Sequence, residues 1–585
     1  MNKKNSKIRL ALAQINPIVG DLEGNKEKIL QRINEAKSYG CDLVALPELC
    51  IPGYPPEDLL LRKQFIVDQR TILNEIADQI RDIVCIVGYV DAANGVLYNS
   101  AAILQEGRLA ASYHKIHLPN YSVFDEERYF KAGDKPLVVH YQDAKIGISI
   151  CEDIWIADSV TETEAFVGGA EILLNISASP FYIGKGQERE ALMTARARRT
   201  RAFVVYINLI GGQDELVFDG RSLVIAPDGR LLAQGNTFDE DFIVIEVDPA
   251  EAKQIRQKDD TFAKNARAFS SPFATVDEAR LTSLRIHHKP VLPERRAIPP
   301  AVPDEEEVYR AITLGLRDYI HKNNFSKVTL GLSGGIDSAL VAVLAVDALG
   351  KENVVAVSMP SQFSSQGSKD DARQLAENLG IEFLMIPIQD VFVKYQQLLQ
   401  PIFKDLPFDI TEENLQARIR GNLLMALSNK FGWIVLATGN KSEVSVGYST
   451  LYGDTAGGFS PLKDVFKTMV YRLCHYRNQK AGYDLIPQSI LTKAPSAELR
   501  PDQTDQDTLP PYDLLDHILE MYVEKEMGVA EIMAKGYDAD IVRQVARMVD
   551  ANEYKRRQAA PGVKITPRAF GKDRRMPITN RYRAR

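Results

Sequence analysis

Glu48, Lys115 and Cys151 are the residues of the first half whose types could do chemistry together. They stand in Leu46-Pro47-Glu48-Leu49, in Tyr113-His114-Lys115-Ile116-His117-Leu118-Pro119 and in Cys151-Glu152-Asp153-Ile154-Trp155. A thiol is a good nucleophile only as the thiolate, so it needs a base or a cation close by. A carboxylate can serve as that base, and an ammonium group can stabilise an oxyanion. Each residue alone has a plainer reading: Glu48 as a cap, Lys115 as a solvated charge, Cys151 as a small buried hydrophobe. That plainer reading is applied to Cys41, Cys50, Cys85 and Cys474.

The second half offers Ser333-Gly334-Gly335-Ile336-Asp337-Ser338. Paired glycines let a backbone pass close to phosphate oxygens, two serines add hydroxyl donors, and a helix N-terminus adds free N–H groups. Asp337 would repel a phosphate unless a cation lay between them, which implies magnesium. No Gly-Lys-Ser/Thr ending follows, so this is not a P-loop. The plainer alternative is a glycine-rich turn capping a helix. A bare Gly-Gly would favour that alternative, whereas the whole hexapeptide at a strand-to-helix junction does not.

These groups need strands that end where they begin. Apolar runs at 8–15, 42–46, 83–90, 145–150, 172–176, 203–209 and 222–225 predict strands in the first half, with helices over 25–39 and 188–202. Glu48 and Cys151 then fall just past strand ends, in a layered α/β domain. In the second half, strands over 328–332, 354–359, 382–386 and 433–437 alternate with helices over 338–349, 370–379 and 414–430. That order predicts an open, mostly parallel sheet, on which ligands sit beyond the C-terminal strand ends.

At 585 residues the chain is too long for one core. Its clearest seam lies between 270 and 305, where prolines cluster among charge blocks such as Pro293-Glu294-Arg295-Arg296. A net charge of −7 gives no electrostatic case for nucleic acid as a partner. The basic end (Lys555-Arg556-Arg557, Arg574-Arg575, Arg581, Arg583, Arg585) reads either as a solvated tail or as an anion-binding or subunit-contacting segment. Five scattered cysteines suggest no disulfide framework, and no run of eighteen apolar residues suggests a membrane span. A cytoplasmic protein is expected.

In their chain order, and with Phe124-Asp125-Glu126-Glu127-Arg128-Tyr129-Phe130 after the lysine, Glu48, Lys115 and Cys151 resemble the Glu–Lys–Cys triad of the nitrilase superfamily. The hexapeptide resembles the PP-loop pyrophosphatase signature, whose enzymes cleave ATP to AMP and pyrophosphate while adenylating a substrate. The two together resemble the glutamine-dependent NAD synthetases. The segments 413–421, 438–443, 452–464 and 493–499 resemble that family's nucleotide-facing stretches. The resemblance implies an N-terminal nitrilase-like α-β-β-α sandwich over 1–275, a linker over 276–305, and a Rossmann-like PP-loop domain with a parallel sheet over 306–585.

The same resemblance carries roles onto residues. Glu48 would be the base, Cys151 the nucleophile and Lys115 the oxyanion's partner, with glutamine held by Tyr121, Ser179 and Lys185. ATP would meet Gly331, Leu332, Ser333, Gly334, Gly335, Ile336, Asp337 and Ser338, together with Met359 and Thr438. Deamido-NAD would meet Asn414, Arg418, Glu443 and Lys555, and magnesium would meet Asp337 and Glu443. Stand-alone relatives carry charged substrate contacts where this chain has Leu451 and Gly458. The activity implied is ATP-dependent amidation of deamido-NAD with nitrogen from glutamine, in a homo-oligomer. A PP-loop ligase acting on another acid is the first rival, and a regulator built from a decayed synthetase is the second.

Overall fold

The computed structural model describes residues 7–283, 289–292 and 297–582. His287-His288, Pro293-Glu294-Arg295-Arg296, Arg583 and Arg585 lie outside the described residues. The chain divides into two units, one of 1–213 with 218–301 and one of 302–585 with 214–217.

The first unit is built on two sheets. One contains β1 (Ile8–Gln14), β2 (Leu43–Ala45), β3 (Val84–Ala93), β4 (Val96–Gln105), β5 (Arg108–His114) and β14 (Asp241–Val247), in the order β14-β1-β2-β3-β4-β5. The other contains β6 (Leu137–Tyr141), β7 (Ala144–Ile150), β8 (Ile172–Ser177), β9 (Phe203–Asn208), β12 (Leu223–Ile225), β13 (Leu231–Gln234) and β15 (Asp277–Arg280), in the order β13-β12-β9-β8-β7-β6-β15. A two-stranded ribbon, β10 (Ile210–Gln213) with β11 (Leu216–Asp219), lies between β9 and β12 in the chain.

Alternation along the strands sorts their side chains into layers. Leu10 and Leu12 of β1 share a buried core with Ile146 and Ile148 of β7, between the sheets. Ala11 and Ala13 turn the other way, onto Ile29, Ile33, Ile72 and Ile76 of the helices Leu22–Ser38 and Lys63–Asp78. On the far side, Leu173, Val204 and Leu223 meet Met193 and Ala197 of the helix Lys185–Thr200. The result is the α-β-β-α sandwich.

The second unit holds a parallel sheet of β16 (Val328–Gly331), β17 (Val354–Ser358), β18 (Glu382–Met385) and β19 (Ile434–Leu436), in the order β18-β17-β16-β19. Val328 sits opposite both Val354 and Ile434, so β16 is central and its C-terminal end opens into the hexapeptide. Several helices begin earlier than the apolar pattern predicts, because caps rather than apolar residues set their starts. Ser365 caps the helix Gln366–Leu379, and Asp409 with Glu412 forms a capping box on the helix Ile410–Phe431.

Over its described length the basic end divides: Arg557, Arg575 and Arg581 are exposed, whereas other cations are built into the core. Arg556 Nη2 and Arg574 Nη1 both donate to Glu553 Oε2, at 2.9 and 3.1 Å. All three side chains are buried, with the Phe570 ring 4.9 Å from the Arg556 guanidinium. Lys564 pairs with Asp573 at 2.5 Å, also buried. A carboxylate within reach of each buried cation makes these residues part of the core instead of a solvated tail.

Candidate active sites

In the first unit, Glu48 follows β2, Lys115 follows β5 and Cys151 follows β7, so three strand ends bring them together. Lys115 Nζ lies 2.8 Å from Glu48 Oε1 and 2.9 Å from Glu126 Oε1, and both lysine and Glu48 are wholly buried. Asn99 Nδ2 donates to Glu48 Oε1 at 2.7 Å and the Ala178 N–H to Oε2 at 2.8 Å. The base is therefore fixed through both oxygens before any substrate arrives. Cys151 has φ of 42°, a backbone state costly for any residue with a side chain, and it sits at the turn from β7 into a short 3-10 helix.

Burial pushes the Cys151 thiol well up, the Glu48 charge adds to this, and the Lys115 ammonium opposes it. Burial alone would lower Lys115, but the carboxylates of Glu126 and Glu48 raise it well above its ordinary value. Lys115 is thus a secure cation. Glu126 is pushed up to about 7, first by burial, with Lys115 opposing and the Glu48 charge adding. Its Oε1 also accepts from Tyr54 Oη at 2.9 Å, while its Oε2 and the Asn99 Oδ1 are buried without a hydrogen-bond partner. Two orphaned acceptors beside a fixed cation suit a substrate that brings N–H donors, as a carboxamide does.

Tyr121 Oη donates to Glu152 at 3.0 Å, and the charges on Cys151 and Lys115 reach its phenol. Lys185 lies over the Trp155 ring, Nζ 3.6 Å from its centroid, and pairs with Glu188 at 3.2 Å. Ser179 is buried next to Ala178, its N–H donating to Asn208 Oδ1 and its Oγ accepting from Arg189 Nη2 at 3.4 Å. Of the buried groups around the thiol, Glu126 stands in the segment after the lysine, which carried no assigned role for it, and Asn99 and Tyr54 carried no local signal.

In the second unit, β16 runs into the hexapeptide and then the helix Ile336–Leu349. Ser338 Oγ donates to the Gly335 carbonyl at 3.0 Å and lies 3.1 Å from Ser333 Oγ, which in turn accepts from the Gly335 N–H at 3.2 Å. The loop is tied to itself by side chains, leaving its mouth open. A cavity of about 320 Å³ lies there, lined by Gly331, Leu332, Ser333, Gly335, Ile336, Asp337 and Ser338, and by Met359, Thr438 and Glu443.

Gly334 shapes this loop without lining the cavity. Its φ is 81°, and a Cβ there would come within 2.2 Å of the Ser368 carbonyl oxygen. Gly334→Ala is expected to lower stability by about 1–3 kcal/mol, through strain plus a backbone clash. Thermal denaturation read with and without ATP measures it, and an unchanged midpoint would refute the steric argument.

Asp337 Oδ2 accepts from Lys467 Nζ at 2.5 Å and its Oδ1 from Asn440 Nδ2 at 2.8 Å; Glu443 Oε1 lies 3.2 Å from the same ammonium. Burial raises Glu443 and would lower Lys467, but the two carboxylates hold Lys467 firmly charged. Two carboxylates thus already converge on one cation. Their hard oxygens suit Mg²⁺, which commonly takes one or two carboxylates together with substrate phosphates. No local signal marks Lys467, which stands 130 residues from Asp337 in the chain.

Asn414, Arg418 and Lys555 gather elsewhere, around one turn. Asn414 Oδ1 accepts from Thr450 Oγ1 at 2.7 Å, and Arg418 Nε donates to the Leu451 carbonyl at 3.2 Å. Lys555 Nζ donates to the carbonyls of Gly447 and Ser449, at 2.7 and 2.8 Å. Tyr448 and Ser449 of that turn line the cavity, whereas Asn414, Arg418 and Lys555 are not among its lining residues, and Arg418 is exposed.

A family model for carbon-nitrogen hydrolases matches residues 9–257, and one for NAD synthases matches residues 308–559. The glutamine-dependent NAD(+) synthetase of Thermotoga maritima is 48% identical over 579 residues, covering 99% of this chain and 99% of its own. That of Aquifex aeolicus is 48% identical over 582 residues, covering 98% of this chain and 100% of its own. The solved structure of glutamine-dependent NAD+ synthetase from Acinetobacter baumannii in complex with ADP is 40% identical, with a TM-score of 0.74 over 98% of this chain and 99% of that one.

Proposed function

The chain belongs to the glutamine-dependent NAD(+) synthetases, and from that premise we propose that Cys151 releases the ammonia that the nucleotide cavity consumes. The enzyme amidates deamido-NAD to NAD at the expense of ATP, with glutamine as nitrogen source and with AMP, pyrophosphate and glutamate as the other products. It is the final step of NAD synthesis. One observation carries the proposed division of labour: a buried thiol with a fixed carboxylate and a fixed ammonium, in the same chain as an open Ser-Gly-Gly-Ile-Asp-Ser loop.

Glu48 takes the Cys151 proton, and the thiolate attacks the glutamine carboxamide carbon. The oxyanion forms against Lys115 Nζ. The C–N bond breaks, the proton on Glu48 goes to the leaving nitrogen, and ammonia departs from a thioester. Water, deprotonated by Glu48, then cleaves that thioester to glutamate and the thiol. Tyr121, Ser179 and Lys185 hold the amino-acid end. In the second unit the nicotinate carboxylate of deamido-NAD attacks the α-phosphorus of ATP and pyrophosphate leaves. Ammonia then displaces AMP from the adenylate. Gly331–Ser338, Met359 and Thr438 hold ATP, while Asn414, Arg418, Glu443 and Lys555 serve deamido-NAD. Asp337 and Glu443 would hold Mg²⁺, which supplies positive charge at the phosphates. NAD formed from deamido-NAD, Mg-ATP and glutamine tests the scheme; no NAD from either glutamine or ammonium chloride would sink it.

Homo-oligomerisation belongs to the same reading. Val391, Tyr395, Leu398 and Ile402 form an exposed apolar stripe on the helix Gln389–Phe403, with Leu398 74% and Ile402 71% exposed. Leu406, Phe408 and Ile410 continue it. A contiguous apolar patch marks an interface, and four-three spacing is that of a helix–helix seam. Leu398→Asp with Ile402→Asp is expected to yield a smaller species by light scattering. An unchanged mass would move the contact elsewhere. Five free, buried thiols and a need for ATP suit a cytoplasmic enzyme.

A further inference from the structure

We infer that Asp153 is a positioning residue for glutamine hydrolysis, its one carboxylate tying the backbone that carries Cys151 to the backbone that carries Lys115. The inference rests on the roles of thiol and ammonium given above. Asp153 is wholly buried. Its Oδ2 accepts from the Ile150 N–H at 2.9 Å and from Tyr113 Oη at 2.8 Å. Its Oδ1 accepts from the Ile116 N–H at 3.2 Å and the His117 N–H at 2.8 Å.

Those four donors are not scattered. Ile150 immediately precedes the nucleophile, while Tyr113, in β5 of the other sheet, and Ile116 and His117, just past that strand, bracket Lys115. Three of the donors are peptide N–H groups, which cannot accept, so the side chain must offer lone pairs to each of them, and the carboxylate alone does this in full. The bond to Ile150 also closes the turn in which Cys151 is held at φ of 42°. A backbone state of that kind persists only where its surroundings hold it. Asp153 touches neither the sulfur nor the carboxamide carbon in this scheme. It sets how far the attacking sulfur stands from the ammonium that receives the oxyanion, and positional errors of about 1 Å cost about a hundredfold in rate.

Asp153→Asn keeps the size but turns an NH2 group toward N–H or O–H donors, which pushes one of the two backbones away. The experiment measures glutamate release and NAD formation in the full-length enzyme. The expected result is a fall in kcat for glutamine hydrolysis of about a hundredfold. KM for glutamine should stay within about threefold and NAD formation from ammonium chloride within about twofold, since neither depends on that spacing. A folded variant with wild-type kcat overturns the inference, as does a rise in KM alone or an equal loss with ammonium chloride. Should Asp153→Asn fail to fold, Tyr113→Phe decides, because it removes one donor and keeps the three peptide contacts. A kcat lowered about threefold to tenfold supports the inference, and an unchanged one overturns it. Wild-type enzyme that releases no glutamate would instead remove the underlying reading of Cys151.

Discussion

Cys151→Ala will lose NAD formation driven by glutamine, by about 10⁴-fold or more, and keep the reaction driven by ammonium chloride within about twofold. The reasoning is local. Alanine removes the sulfur that would carry the acyl group and leaves Glu48, Lys115 and Glu126 with every contact they make to each other. The remaining groups can stabilise an oxyanion but have no atom with which to form the thioester. Alanine has the same φ preferences as cysteine, so the turn at 42° is no worse strained, and thermal stability should barely move. NAD measured with each nitrogen source separates the outcomes. Persistent glutamine-driven activity would show that another group is the nucleophile. Loss of both activities would show that the amidase site cannot be altered without disabling the nucleotide site.

The second large effect is at Asp337. Asp337→Asn should cut NAD formation by about 10³-fold with either nitrogen source, and raise the Mg²⁺ concentration needed for half-maximal rate. The carboxylate holds Lys467 through one oxygen and Asn440 through the other, and it faces the cavity beside Glu443. An amide of the same size carries no charge to hold a cation, and its NH2 group repels either the ammonium or the Asn440 amide. Glutamate release from glutamine should remain well above that of Cys151→Ala, because Cys151 chemistry uses no part of this cluster. Near-normal NAD formation at ordinary Mg²⁺ would remove Asp337 from the metal's neighbourhood.

The local pattern revealed what is built locally. The run from β16 through Ser333-Gly334-Gly335 into a helix reads directly from composition, as does the strand that delivers Cys151. Glu48 was recognisable just past a predicted strand, and Lys115 from its characteristic segment ahead of Pro119. Pairings across long separations were not visible: β14 closes against β1 in a register joining Ile8 to Val247, and β15 lies parallel to β6. Nothing near either partner encodes such a choice. Asn99, Glu126 and Lys467 were missed for a related reason. Their chemistry exists only once a distant carboxylate or ammonium stands opposite, and a neutral Asn in a strand or a Lys opening a helix looks ordinary until then.

The packing of the chain's end bears on how the protein is born. Lys441 Nζ is wholly enclosed, paired with Asp464 and Glu524 at 2.8 and 2.7 Å and donating to Thr566 Oγ1 and the Arg568 carbonyl. Asp464 in turn accepts from the N–H groups of Ile565 and Thr566. A ribosome adding about 5–20 residues per second therefore makes Lys441 several seconds before the residues that complete its shell. Throughout that interval the nascent second unit holds a lysine whose enclosure is unfinished, and that shell can close only once residues 565–568 have been made. A polypeptide ending between Lys555 and Lys564 would thus have every catalytic side chain named above and still leave this ion cluster open, a natural target for cellular quality control.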